Sequence, residues 1–213
     1  YSNSRETDYG NNDVEGPDPL HGTHVGGIVG AVRDNGIGVQ GVANNVKLMS
    51  VRTVPDGDER DKDVANSIIY AADNGANIIN MSFGFSGVVT SYTAASIENF
   101  LGNTIDALRQ QNKAQGDRAI FVISAGNAFG DLDEFNIEVD ASSPELLPGL
   151  PYLFPELQNH MLAVAAVDRS GAISSYSNHC GAAASFCLAA PGGGDANGDG
   201  DFADNELILS PVS

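Results

Sequence analysis

Three short stretches are largely apolar and do not alternate strictly: Ala76 to Ser82 (ANIINMS), Ala119 to Ala125 (AIFVISA) and Met161 to Val167 (MLAVAAV). A strand with one wet face alternates. A strand that is apolar throughout asks for cover on both faces, which is the habit of a parallel sheet. Helical patterns separate these runs. Residues 61–74 place Val64, Ile68, Ala71 and Ala72 on one face and stop at Asn74-Gly75. Residues 94–115 form a second long helical pattern. Thr23 to about Val32 is small, apolar and free of proline, which suits a tightly packed helix, and Asp34-Asn35-Gly36 breaks it. Val46 to Arg52 alternates and reads as a strand. Residues 1–20 and 128–158 read as loops, the second a long, acidic, proline-bearing insertion. The expected fold is α/β, in three layers, with a mostly parallel central sheet and helices on both faces. Ligands of such sheets bind beyond the carboxyl ends of the strands, where Ser82-Phe83-Gly84 and Gly126-Asn127 fall.

The chain has 213 residues, a length that suits one domain spanning 1–213. It carries 28 Asp and Glu against 10 Lys and Arg, a formal charge of -18. With no basic footprint, nucleic acid is excluded as a partner. An acidic surface suits solubility and divalent cations. No apolar run reaches the ~18 residues of a membrane span. The polar opening, YSNSRETDYGNND, is no signal peptide and reads as the interior of a domain. Cys180 and Cys187 fit neither a zinc pattern nor a redox motif. Their spacing allows a small disulfide loop worth roughly 2–3 kcal/mol, which would imply an oxidising compartment. Two buried free thiols are the alternative.

Two segments carry more specific chemistry. In HGTHVGGIVGA, His21 and His24 lie three apart, but without the neighbouring glutamate of a helical zinc site. A histidine at a helix entry can serve as general base toward a serine when a carboxylate orients it. The second segment, DANGDGDFADNE at 195–206, satisfies the spacing of a calcium loop. Asp195, Asn197 and Asp199 supply oxygens at alternate positions. Gly200 permits the turn, Asp201 offers its carbonyl, and Glu206 a bidentate carboxylate. Ala203 lacks an oxygen, and the flanks are not those of paired helices. A calcium loop set into another fold is the expectation.

HGTHVGGIVGA closely resembles the histidine motif of the subtilases, the subtilisin-like serine peptidases. In register, DNGIGVQGVANNVKLMSVRTV resembles that family's calcium loop and next strand. ADNGANIINMSFG resembles the approach to its substrate-binding segment, IFVISAGN the strand ending in the oxyanion asparagine, and MLAVAAVDRSGAISSYSN with LAAPGG a later core strand and the Ala-Pro-Gly turn. The cysteine-bearing SNHCG…FCLAAPG resembles subtilase passenger domains of autotransporters. The resemblance implies a catalytic base at His21 and a structural role for His24, with Gly26 and Gly27 letting the helix sit close to the sheet. Asn127 would be the oxyanion donor, whose measured worth in subtilisin is ~2.7–4 kcal/mol. Ser82, Phe83 and Gly84 would pair with an extended polypeptide and wall the first specificity pocket, opposite Ala125 and Gly126. Asn35, with the carbonyls of Arg33, Ile37 and Val39, would hold Ca2+; a plain turn is the competing reading.

Neither partner of the histidine is apparent. The family order is Asp, His, Ser, with the Asp roughly thirty residues before the His. Asp8, Asp13 and Asp18 lack the right context, and no serine has the Gly-Thr-Ser setting. The expectation is therefore a fragment, truncated at both ends, of a secreted or surface-exposed, calcium-dependent serine endopeptidase. It would be inactive alone and have further domains in the same polypeptide. The alternative is a non-catalytic calcium-binding or adhesion module on the same fold.

Overall fold

A computed structural model of the chain describes residues 14, 20–53, 60–85, 87–112, 119–128 and 139–194. Its centre is a four-stranded sheet in the order β1 (Ile78–Met81), β2 (Ile120–Ser124), β3 (Met161–Val167), β4 (Cys187–Pro191). Every pair is parallel, with Ile78 opposite Ile120, Phe121 opposite Met161 and Ala163 opposite Cys187. Parallel neighbours need long crossovers, which the helices provide. β4 coincides with the LAAP stretch, where only a turn was expected.

Alternate strand residues build the core. Phe121, Ile123, Met161, Ala163 and Ala165 are buried. Most of the core joins Phe121, Ile123 and Met161 to α2 (Asp61–Asp73), α3 (Ala94–Gln110) and α4 (Leu146–Leu153). Leu101, Ile105, Leu108, Leu147 and Leu150 are fully enclosed there. Ala163 instead packs with Ala183 and Phe186 of the 3-10 turn before β4. On the opposite side Val122, Leu162 and Val164 are only half-buried. β1 is an edge strand among the described residues, with Ile78 69% exposed, so its apolar residues do not reflect cover on both faces.

The helices close their own polar ends. α3 begins with a capping box in which Thr93 and Ser96 satisfy each other's backbone N–H groups. It kinks at Leu101 (φ -120°, ψ 28°), and just beyond, the N–H groups of Asn103 and Thr104 donate to Asp61 at 3.0 and 2.7 Å. The first residue of α2 thus receives donors at the kink of α3. α4 lies inside the stretch expected to be an insertion loop. Its apolar sequence, LLPGLPYL, is buried through Pro151 because it lies against β3 and the turn at Val89–Ser91.

α1 (Leu20–Gly30) carries the histidine motif. Its last carbonyls would be orphaned. The chain returns after a loop, and the N–H groups of Gly41, Val42 and Ala43 donate to Ala31, Ile28 and Val29 at 3.0, 2.9 and 2.9 Å. A side chain at Gly41 would collide with the Ala31 backbone. The close packing expected at Gly26 is not found, since a methyl there would meet nothing. The tight approach is at Gly30, against Val46 and Leu48. Val46 to Arg52 is not a strand of the described ladder: it pairs with nothing among the described residues and leaves Leu48 57% exposed. Alternation makes a segment fit for a sheet, but a ladder neighbour is what makes it a strand.

The Cys180–Cys187 disulfide forms, with Cα atoms 5.7 Å apart. It closes the 3-10 turn Gly181–Phe186 onto the start of β4. No helix among the described residues is long and apolar enough to cross a membrane.

A methyl added at Gly149 in α4 would lie 2.5 Å from Val89 Cβ. Gly149→Ala is expected to destabilise the fold by about 1–3 kcal/mol, the usual range for overpacking. The urea midpoint of the variant against wild type measures it.

Candidate active site

Because the strands run in one direction, the segments following β1 and β2 leave the sheet at the same edge. There Ser82, Asn127 and Gly126 line a cavity of about 290 Å³ together with Ser124, Tyr176 and Gly192. His21 reaches this edge from α1. Its Nε2 donates to the Ser82 carbonyl at 2.9 Å, so this nitrogen carries a proton. The Ser82 hydroxyl accepts from Asn80 Nδ2 at 2.8 Å. Phe83 turns toward the core. The structure thus gathers His21, Ser82, Gly126 and Asn127 from separated stretches of chain.

The loop after β2 is held firmly. The Ala125 N–H donates to Val164 and its carbonyl accepts from Glu145, each at 2.8 Å. Gly126 has φ +121°, a conformation glycine adopts without strain. Its carbonyl accepts from the Asn178 N–H at 2.9 Å. The Asn178 side chain accepts from the Ala128 N–H at 2.9 Å and donates to the Ser143 carbonyl at 3.0 Å. Asn178 is 1% exposed, so its bonds span the asparagine turn from a rigid, dry position. It was not singled out in the sequence; a lone asparagine in SYSNHC carries no distinguishing pattern.

Glu145 was also missed, because it falls in the stretch expected to be loop. Its carboxylate accepts the Asn127 N–H, and burial pushes its pKa up despite that bond. A methyl at Gly84 would lie 2.9 Å from Glu145 Oε2, and one at Gly126 2.6 Å from Glu145 Cδ. The carboxyl therefore occupies the space that these two glycines leave open.

The residues expected to bind cations fall into two groups. Asn35 is exposed, and its Oδ1 accepts the Ile37 N–H at 3.0 Å in a local turn. Asp34, Gly36 and Gly38 around it have positive φ. Asp195, Asn197, Asp199, Asp201 and Glu206 lie outside the described residues. No group of three or more His, Cys, Asp or Glu that could hold a metal is found among the described residues. His24 is half-buried within α1.

The model of the Subtilase family matches residues 1–208. The chain belongs to the subtilase family. Thermophilic serine proteinase of Bacillus sp. (strain AK1) is 31% identical over 160 residues, covering 75% of this chain and 31% of that protein. Thermitase of Thermoactinomyces vulgaris is 32% identical over 161 residues, covering 75% and 45%. The chain thus spans well under two thirds of these subtilases. Among solved structures, the nisin leader peptidase NisP from Lactococcus lactis aligns with a TM-score of 0.54 at 27% identity, over 84% of this chain and 48% of that one. MycP1 aligns with a TM-score of 0.61 at 23% identity over 88% and 57%, a likeness of fold.

The direction of the Glu145 shift fixes a pH dependence. The folded state binds this proton more tightly than the unfolded chain, whose reference value is 4.5. Stability is therefore lost as pH rises from near the unfolded value through the raised folded one. Glu145→Gln should remove that fall and gain stability relative to wild type at pH 8 but not at pH 4. Chemical denaturation at both pH values checks the sign.

Proposed function

We propose that the protein bearing this chain is a serine endopeptidase that hydrolyses extended polypeptides through a Ser-His-Asp mechanism. The observation that carries the reading is His21 docked on the Ser82 carbonyl, at the strand edge where Asn127 lines the cavity. His21 would take the proton of a serine hydroxyl and return it to the leaving amine. Its Nε2 now carries a proton, held by Ser82. A carboxylate accepting Nδ1–H would switch the tautomer and free Nε2 to act as base. The Asn127 amide would donate to the oxyanion, and the Ser82–Gly84 backbone would pair with the substrate main chain. The serine and the aspartate would come from elsewhere in the polypeptide, so residues 1–213 alone would be inactive.

In this reading the protein works outside the cell or at its surface. The disulfide supports that setting, and relatives include the Extracellular basic protease of Dichelobacter nodosus and the Extracellular serine protease of Serratia marcescens. Calcium would be held by the 195–206 loop, whose spacing and oxygen-rich chemistry suit it, and by the Asn35 turn, where one amide oxygen and carbonyls are available.

The test uses the protein with its native flanking sequence and an unstructured protein substrate. His21→Ala should lower kcat at least ~10⁴-fold, and Asn127→Ala about 10²–10³-fold. Turnover unaffected by His21→Ala would refute the mechanism. Absence of turnover in a folded, calcium-loaded protein would favour a binding module on the same fold. Titration calorimetry should show calcium binding at millimolar concentration or below, weakened by Asp195→Ala with Glu206→Ala. No heat of binding would remove calcium from the reading.

A further inference from the structure

The space between Ser82–Gly84 and Ala125–Gly126 has an acidic occupant. Glu145 leads into α4 and is anchored at its backbone: its N–H donates to the Ala125 carbonyl at 2.8 Å, and the residue bridges antiparallel to Val88. From there its side chain runs across Gly126, whose missing Cβ would fall 2.6 Å from both Cγ and Cδ, and ends near Gly84. A side chain at Gly126 would displace the carboxyl, and one at Gly84 would make its tip shift. The residue stays half-buried, so part of it still meets solvent.

Among the described residues it has no cationic partner. The ion pairs of the described residues converge on Arg109, which takes Glu98 and Glu156 at 3.0 Å and Asp106 at 3.5 Å. None involves Glu145, whose one backbone donor leaves most of its acceptor capacity unused. A half-buried carboxylate without a countercharge is costly for a fold to keep. A guanidinium or ammonium meeting the carboxyl from its exposed side would supply both the missing charge and the missing donors. The charge of -18 points the same way, since it concentrates cationic chains around the protein.

We propose that Glu145 forms the floor of the first specificity pocket, and that the protein selects polypeptides presenting lysine or arginine immediately before the cleaved bond. This rests on the endopeptidase reading for the cleavage, but not for the binding of the cation, and the two are tested separately.

The protein with its native flanks is assayed with fluorogenic peptides that differ only at that position: Arg, Lys, Leu or Glu. kcat/KM for Arg and Lys should exceed that for Leu at least tenfold, with Glu poorest. Glu145→Gln, nearly the same in volume, should cut the Arg-to-Leu ratio at least tenfold. Equal use of Arg and Leu by the wild type, or a uniform loss in the variant that leaves the ratio unchanged, would overturn the proposal. Either result would leave the endopeptidase reading intact. In parallel, p-aminobenzamidine fluorescence reports cation binding without catalysis. It should rise with the wild type and fall to background with Glu145→Gln. Glutamate-dependent binding without any hydrolysis would sustain the cation-binding pocket and sink the peptidase reading. Absence of binding to the folded wild type would overturn the pocket.

Discussion

Parallel pairing is the constraint on which the rest of this molecule depends. Once β1, β2, β3 and β4 run the same way, each must be followed by a segment leaving the same edge, and each return must cross the sheet as a separate unit. Ser82–Gly84, Gly126–Asn127 and Gly192 meet for that reason, though long stretches of sequence separate them. α1 has no strand of its own in the described ladder, yet it delivers His21 to the same place through one hydrogen bond to the Ser82 carbonyl. Chemistry at this edge needs few residues because the ladder supplies their positions.

Much of this geometry was legible in the sequence. The apolar run at Met161–Val167 and the periodicity of 61–74 depend on local pattern, and the corresponding elements follow closely. The resemblance around His21 and Asn127 picked out residues that the fold brings to one edge. What was illegible depended on neighbours. Val46–Arg52 alternates as a strand should, but no ladder partner meets it among the described residues. Leu146–Leu153 contains prolines that discourage a helix, yet burial against β3 outweighs them. Glu145 belongs to no motif, and Asn178 only ends the stretch MLAVAAVDRSGAISSYSN, which gives it no role of its own. Their roles come from what lies across from them: a pair of glycines for one and a turn of backbone for the other.

The site also shows how polar groups set its rigidity. Asn178 is buried and spans both sides of the Asn127 turn, while the Ser143 backbone it holds adjoins the disulfide-closed turn, whose Ala182 N–H donates to Ser143 Oγ at 3.0 Å. The asparagine turn is thereby tied to covalently closed structure rather than to a free loop. Glu145 sits on the other side of that turn and is satisfied only in part. One neighbour of Asn127 fixes its backbone, and the other leaves room for a visitor.

The return of Gly41, Val42 and Ala43 to the end of α1 has a consequence for variation. The excursion from Val32 to Gln40 begins and ends at hydrogen bonds that complete the helix, so its mouth is sealed whatever its contents. The entropy of closing such a loop grows only logarithmically, by ~0.6 kcal/mol for each doubling of length. Descendants of this gene could lengthen or shorten the excursion without moving the histidine ten residues upstream of its mouth. The seal lets that stretch change length on either side of its Asn35 turn while the end of the helix stays closed.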